Sequence, residues 1–410
     1  PLTSIAQLQH AQIERFQHEP SYAIGNSYAS PFIDQDQLVS TRQLDYQRGS
    51  TSEYVDGSSV DSSYLCNQAL WDDYFFSSIT PEFALSSANY SESRTIEQVI
   101  AGFMDSSGGA AVSLPNPRVK YVPNSLKSDT EMAESLLDDT ANASEKVAGS
   151  LMVDGTFNIN SVSVEAWKAF LSGANNMPVL NNHLENGSSS VQQNNGGVVF
   201  SRFSIPNQSD YGTGIQNDDW EGYRLLDQVE INDLAVEVVR IIKERGPFYS
   251  VADFINRSLT TSGDNWKAGV LQLAIDLAGL NDGITGSGAP VAKTGGSASE
   301  SFVTPAAGPE VNKAGMIGYL LQSDLLNQIG PFISNRSNTF KIRTYGESGN
   351  LTSGSQPAKA YLEAVIQQLP EYVDGTESPD TALADLNVTN ESFGRKFRIV
   401  SITWLNEDEI

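Results

Sequence analysis

The 410 residues suffice for two or three units with genuine cores, and they carry 50 Asp and Glu against 25 Lys and Arg, a formal charge of −25. A surface so short of cations repels phosphate backbones and anionic lipid, which disfavours nucleic acid and membrane surfaces as partners. The single cysteine, Cys66, excludes an intrachain disulfide and a cysteine-built metal centre.

No run of about 18 apolar residues occurs, and Pro1 to Ile13 lacks the basic start and apolar core of a secretory signal. The chain is therefore expected to make no membrane contact of its own. Its composition, high in Ser, Asn, Gly and Asp and low in Lys, is common among secreted bacterial proteins.

Residues 1 to 110 show little periodicity. Aromatic residues scattered among Ser, Asp and Gln, as in Ser30 to Asp34 and Asp72 to Phe76, predict an extended, loop-rich segment that wraps other elements with aromatic anchors. Residues 111 to 222 read as a connector followed by a strand-helix unit. Asp129 to Val147 can form one polar helix presenting Met132, Leu136 and Leu137. Phe157 and Ile159 alternate with Asn158 and Asn160, a half-buried strand, and Ser163 then caps a helix carrying Val164, Trp167, Phe170 and Leu171. The Asn- and Gly-rich stretch that follows is an excursion with a short edge strand at Val198 to Phe203.

Periodicity, punctuation and caps agree best within residues 223 to 282. Leu234, Val238, Ile241 and Ile242 share one face of a helix over Asn232 to Glu244, which Gly246, as a C′ glycine, and Pro247 should stop. Ser250 and Asp253 form a capping box for a short second helix, with Phe248 as its staple. Asp264 or Asn265 caps a third helix with Val270, Leu271, Ala274 and Leu277 inward, closed by Gly279 and Leu280 in a Schellman pattern. Residues 283 to 312 are a Gly/Ser/Ala/Pro linker, too poor in apolar side chains to fold alone. In 313 to 410, a helix over Ala314 to Gln328 precedes strands Thr339 to Tyr345, Lys359 to Leu369 and Phe393 to Leu405. Their alternation and short polar loops predict an antiparallel meander.

Chemistry-bearing motifs are sparse. His10, His18 and His183 lack metal-ligand spacing, and no nucleophile-elbow, phosphate-loop or zinc-helix motif occurs, so no enzyme and no cofactor are expected. Acidic pairs in polar loops, Asp34 with Asp36 and Asp56 with Asp61, could gather around a hard cation. Asp218 with Asp219 and Glu221 could likewise gather around calcium. Lys243, Arg245, Arg257 and Lys267 could form a modest basic patch, while Leu259 to Asp264 lacks the glycine-hydrophobic-glycine nest that holds a DNA phosphate. Trp220 and Tyr223 are candidate surface aromatics for stacking on sugars.

The spelling Lys243-Glu244-Arg245-Gly246-Pro247-Phe248-Tyr249-Ser250-Val251-Ala252-Asp253-Phe254 resembles the turn of helix-hairpin-helix domains in competence-type DNA receptors and in the minor pseudopilin K of type II secretion. Asp154-Gly155-Thr156-Phe157-Asn158-Ile159-Asn160 resembles the strand that precedes the helical domain of the latter. Over residues 151 to 405 the order of elements is similar to that family, and the chain also resembles pilus-assembly-related envelope proteins of verrucomicrobial type. The resemblance implies an α+β fold: a pilin-like antiparallel sheet with an inserted helical domain, helix-hairpin-helix or SAM-like, behind a loop-rich N-terminal segment. It also implies a non-catalytic, structural or tip-like component of a pilus, pseudopilus or other envelope assembly whose partners are other protein subunits, and it raises the calcium expectation for Asp218, Asp219 and Glu221. A secreted carbohydrate-binding protein or adhesin is the alternative, and a DNA-binding protein, opposed by the charge, is the second.

Overall fold

The computed structural model describes residues 2–11, 13, 22–48, 51–79, 95–104, 114, 116–138, 143–174, 179–183, 188–192, 197–203, 223–282, 319–349 and 357–409. These residues build an α+β protein whose strands form five two-stranded sheets and one three-stranded sheet, all antiparallel except for one short parallel pair.

A 3-10 turn, Ile5–His10, opens the chain under a Ser4 capping box. Next come a hairpin of β1 (Val39–Arg48) and β2 (Thr51–Val60), then helices α1 (Ser62–Leu70) and α2 (Ile96–Met104). The expectation of a loop-rich segment over residues 1 to 110 is thus corrected. The hairpin's ten paired rows draw on backbone hydrogen bonds that polar sequence supports as well as apolar sequence does, so apolar periodicity could not reveal it. β3 (Val119–Tyr121) pairs with β4 (Leu151–Val153) across α3 (Asp129–Asp138) and α4 (Ala143–Ala148). The expected single helix over Asp129 to Val147 is therefore two. Met132 and Leu136 are buried as foreseen, packed with Ile100, Met104 and Val147 in a small second core.

β5 (Phe157–Asn158) leads into α5 (Val164–Leu171), whose N-cap Ser163 accepts from the Ala166 N–H. The hairpin of β6 (Val179–His183) and β7 (Ser188–Gln192) follows, then β8 (Val198–Ser201), which pairs with β9 (Tyr223–Leu226). The helices α6 (Gln228–Arg245), α7 (Val251–Ile255) and α8 (Val270–Leu277) come next, then α9 (Gln322–Ile329) and β10 (Ile333–Ser334). β11 (Thr339–Ser348), β12 (Ala358–Tyr372), α10 (Val388–Phe393) and β13 (Arg395–Leu405) complete the chain, with β12 central in the expected meander. α9 starts later than foreseen: residues 319–321 are not helical, Leu321 is extended, and Asp324 Oδ2 accepts from the Leu321 N–H at 2.9 Å. Residues 314–318 and the 283–312 linker lie outside the described residues.

The main core joins distant stretches of chain: Ile5, Ile24 and Trp71 pack with Trp167, Phe200, Leu234, Phe254, Leu271, Leu326 and Ile333. Phe248 and Phe254 are interior, as the sequence predicts, and meet edge to face at 5.4 Å. The strand and turn that carry the family resemblance touch each other. Asn160 Oδ1 accepts from the Phe248 N–H at 2.6 Å, and its Nδ2 donates to the Phe248 carbonyl at 3.0 Å.

Three local expectations about the helices are corrected. α6 begins a turn earlier than Asn232, under an Asp227–Glu230 capping box that the pattern reading passed over. Gly246 ends it in extended backbone, φ −74°, rather than as a left-handed C′ glycine. The cap of α8 is Gly269, not Asp264 or Asn265. The Schellman closure holds: Gly279 has φ +65°, and the Leu280 N–H donates to the Ile275 carbonyl at 3.1 Å.

Far residues finish two helix starts. Ser250 Oγ accepts from the Asp253 N–H, while Asp72 takes the Val251 and Ala252 N–H groups at 2.8 and 2.9 Å. Gln322 Oε1 accepts from Leu271 N–H and Gln272 N–H, and its Nε2 donates to the carbonyls of Gly25 and Ile255. Arg257 is buried: Nε donates to Asp61 Oδ2 at 2.8 Å, and Nη1 and Nη2 donate to the carbonyls of Gln35 and Gln37.

Candidate functional site

Among the described residues, the three-stranded sheet is the element whose sequence pattern and surroundings disagree. Alternation in β11 to β13 calls for one covered face and one wet face. The register sorts the side chains accordingly, in rows Phe340–Ile366–Ile399, Ile342–Ala364–Ile402 and Thr344–Leu362–Trp404, with Phe397 beyond the first row. A bulge that gives Val400 no partner of its own keeps Ile399 and Ile402 on the same side across the register shift.

The opposite face is a polar ladder. Glu363 binds Lys341 at 2.9 Å and Arg343 at 2.8 Å, and these hydrogen bonds, Lys341's first, hold its carboxyl below the usual range. Tyr345 packs on Tyr361 at 5.1 Å, and Arg398 donates to Gln367 Oε1 at 3.0 Å.

The apolar face has no such partners and stands open. Phe340 and Ile342 are each 42% exposed, Phe397 52%, Ile399 61%, Ile402 54% and Trp404 72%. At ~150–250 Å² for a large side chain, six such groups offer on the order of 700 Å² of apolar surface. That exceeds the largest patch of a typical monomer, about 300–600 Å². The three rows contain no ionisable group. Such a face offers burial and shape but no proton or charge chemistry.

The residues singled out in the sequence fall elsewhere. Asp218, Asp219, Trp220 and Glu221 lie outside the described residues. Tyr223, expected at the surface, is buried against Val199, which corrects its role as a stacking platform. Asp61 belongs to the buried Arg257 ion pair, and among the described residues no group of three His, Cys, Asp or Glu side chains could hold a metal ion.

Gly246, Pro247, Phe248, Ser250 and Asp253 form the turn between α6 and α7, with a cis Gly246–Pro247 bond. The basic patch does not form. Arg257 is interior, and Arg245 donates to the carbonyls of Asp253 and Asn256, its pKa pulled down to about 10 by burial. Lys267 pairs with Asp264 at 2.8 Å.

A cleft of about 810 Å³, which sequence reasoning missed, lies where Trp71 to Phe76, the β4–β5 connection and residues 330–339 meet. Tyr74 and Phe75 are exposed on its wall, beside Asn116, Asp154 and Asn338. Among the described residues no helix is long and apolar enough to cross a membrane. Comparison with family models, curated proteins and solved structures finds no match to this chain.

Proposed function

We propose that this chain is a non-catalytic building block of a bacterial envelope or extracellular assembly, joined to other protein chains through the apolar face of β11 to β13. The observation that carries this reading is the uncharged patch itself, larger than a lone soluble chain ordinarily leaves in water. The helix-hairpin-helix-like turn from Lys243 to Phe254 adds support for a pilus- or pseudopilus-related assembly. A single pilin-type sheet does not support it. Phe157–Asn158 pairs in parallel with Ile333–Ser334, in a sheet separate from Thr339–Ser348.

Cross-linking mass spectrometry on native material tests the proposal, with the expected cross-links from Lys341, Lys359 and Lys396 to other polypeptides. A native particle of a single 44.3 kDa chain, with Trp404 as open to aqueous quenchers as free indole, would refute it.

The cleft favours a second reading, saccharide binding, with Tyr74 and Phe75 as stacking faces in place of Trp220 and Tyr223. A glycan array compared between the wild type and Tyr74→Ala decides it. Equal binding by both proteins removes this reading.

A further inference from the structure

Given the assembly role proposed above, the shape of the sheet face narrows its partner. The row Thr344–Leu362–Trp404 is lopsided, small at the β11 edge and largest at the β13 edge. A two-fold axis lying between two such faces, parallel to the strands, sets β11 over β13 of a second copy. Trp404 then falls over Thr344 of the second copy and Phe340 over Ile399, while Leu362, Ala364 and Ile366 meet their own equivalents. Large side chains sit over smaller ones in both directions, as an isologous contact requires. Sheets pack this way about 10 Å apart with strands within about 30° of alignment.

Area and charge agree with that arrangement. A face on the order of 700 Å² is close to the ~800 Å² per partner of a stable interface. Each copy carries −25, yet the three rows contribute no charge, so the copies meet there without like-charge contact. The same net charge opposes an anionic lipid surface.

We infer that the apolar face of β11 to β13 packs on the same face of a second copy, forming a two-fold, sheet-on-sheet dimer. Sedimentation of the full chain from about 1 to 100 μM tests this. The expected result is a wild type at twice 44.3 kDa. Ile402→Glu and Trp404→Ser should weaken association by about 100-fold or more, which is roughly two interface contacts of the anchoring kind. Both side chains are more than half exposed, so neither change should unfold the chain, and far-UV circular dichroism checks that. Ser401→Glu, on the opposite face, should dimerise like the wild type, and added salt should strengthen the dimer by screening net repulsion.

A wild type that stays monomeric at the highest concentration overturns the dimer, as does a dimer indifferent to Ile402→Glu. If that monomer is cross-linked through the sheet to a different protein in native material, the dimer fails and the assembly role stands. If instead it cosediments with phosphatidylcholine vesicles and Ile402→Glu abolishes this, both fail.

Discussion

Replacing Asp61 with alanine should uncouple the N-terminal segment from the helices. The substitution leaves the Arg257 guanidinium at 1% side-chain exposure with two backbone carbonyls and no counter-charge. Removing one member of a buried ion pair costs about 3–5 kcal/mol. Asp61 also accepts from the Tyr64 N–H at 3.0 Å at the start of α1, and losing that cap adds about 1 kcal/mol. The combined loss of about 4–6 kcal/mol corresponds to a melting temperature lower by roughly 8–24 °C for a cooperative unit of about 150–250 residues. Thermal unfolding followed by the fluorescence of buried Trp71 and Trp167 reads that unit. Asp61→Ala with Arg257→Met should recover part of the loss, because no uncompensated charge then remains inside. An Asp61→Ala protein within about 1 kcal/mol of the wild type would refute the reasoning, as would a double variant weaker than Asp61→Ala alone.

Asp72→Ala should cost about 1–2 kcal/mol and speed amide exchange selectively at Val251 and Ala252, the two groups Asp72 caps. Gly269→Ala should destabilise by about 1–3 kcal/mol or more, since a Cβ there lies 1.9 Å from the Ile255 carbonyl oxygen; unchanged denaturant midpoints would contradict the close approach. The Tyr121 phenol is pushed up to about 12, by burial first and then by the Asp129 carboxylate. Its folded pKa lies above its unfolded value of about 10, so its contribution is present below that pH and lost as pH rises toward 12. Alkaline unfolding of the wild type should exceed that of Tyr121→Phe in this window, with phenolate absorbance as the probe.

Much of the helical structure was legible from local signals. The apolar stripe of α6, the Ser163 cap and the Gly279–Leu280 closure are short-range features that form as read, whereas Ser250 caps α7 without the return bond expected from the Asp253 side chain. What escaped was partly local, as with the Asp227–Glu230 box that starts α6, and otherwise set by partners distant in sequence. Gly269 starts α8 because Gln322 supplies the acceptor that Asp264 or Asn265 was expected to provide, and nothing near residue 270 announces that. The apolar alternation of β11 and β12 was legible as a pattern. Whether anything covers it depends on the rest of the fold, and alternation is blind to that. Tyr223 reads like any exposed aromatic until β8 pairs with β9 and encloses it.

The distant partner of α8 sets a clock on the chain's synthesis. Leu271 and Gln322 are 51 positions apart. At about 5–20 residues per second, the acceptor that closes the start of α8 leaves the ribosome roughly 3–10 s after the amide it must meet. During that interval Val270, Leu271 and Ala274 have emerged without the Leu325 and Leu326 side chains that later share their core. A nascent chain arrested in this window should be the species most readily held by a chaperone that binds apolar helices, and release should follow once α9 has been made.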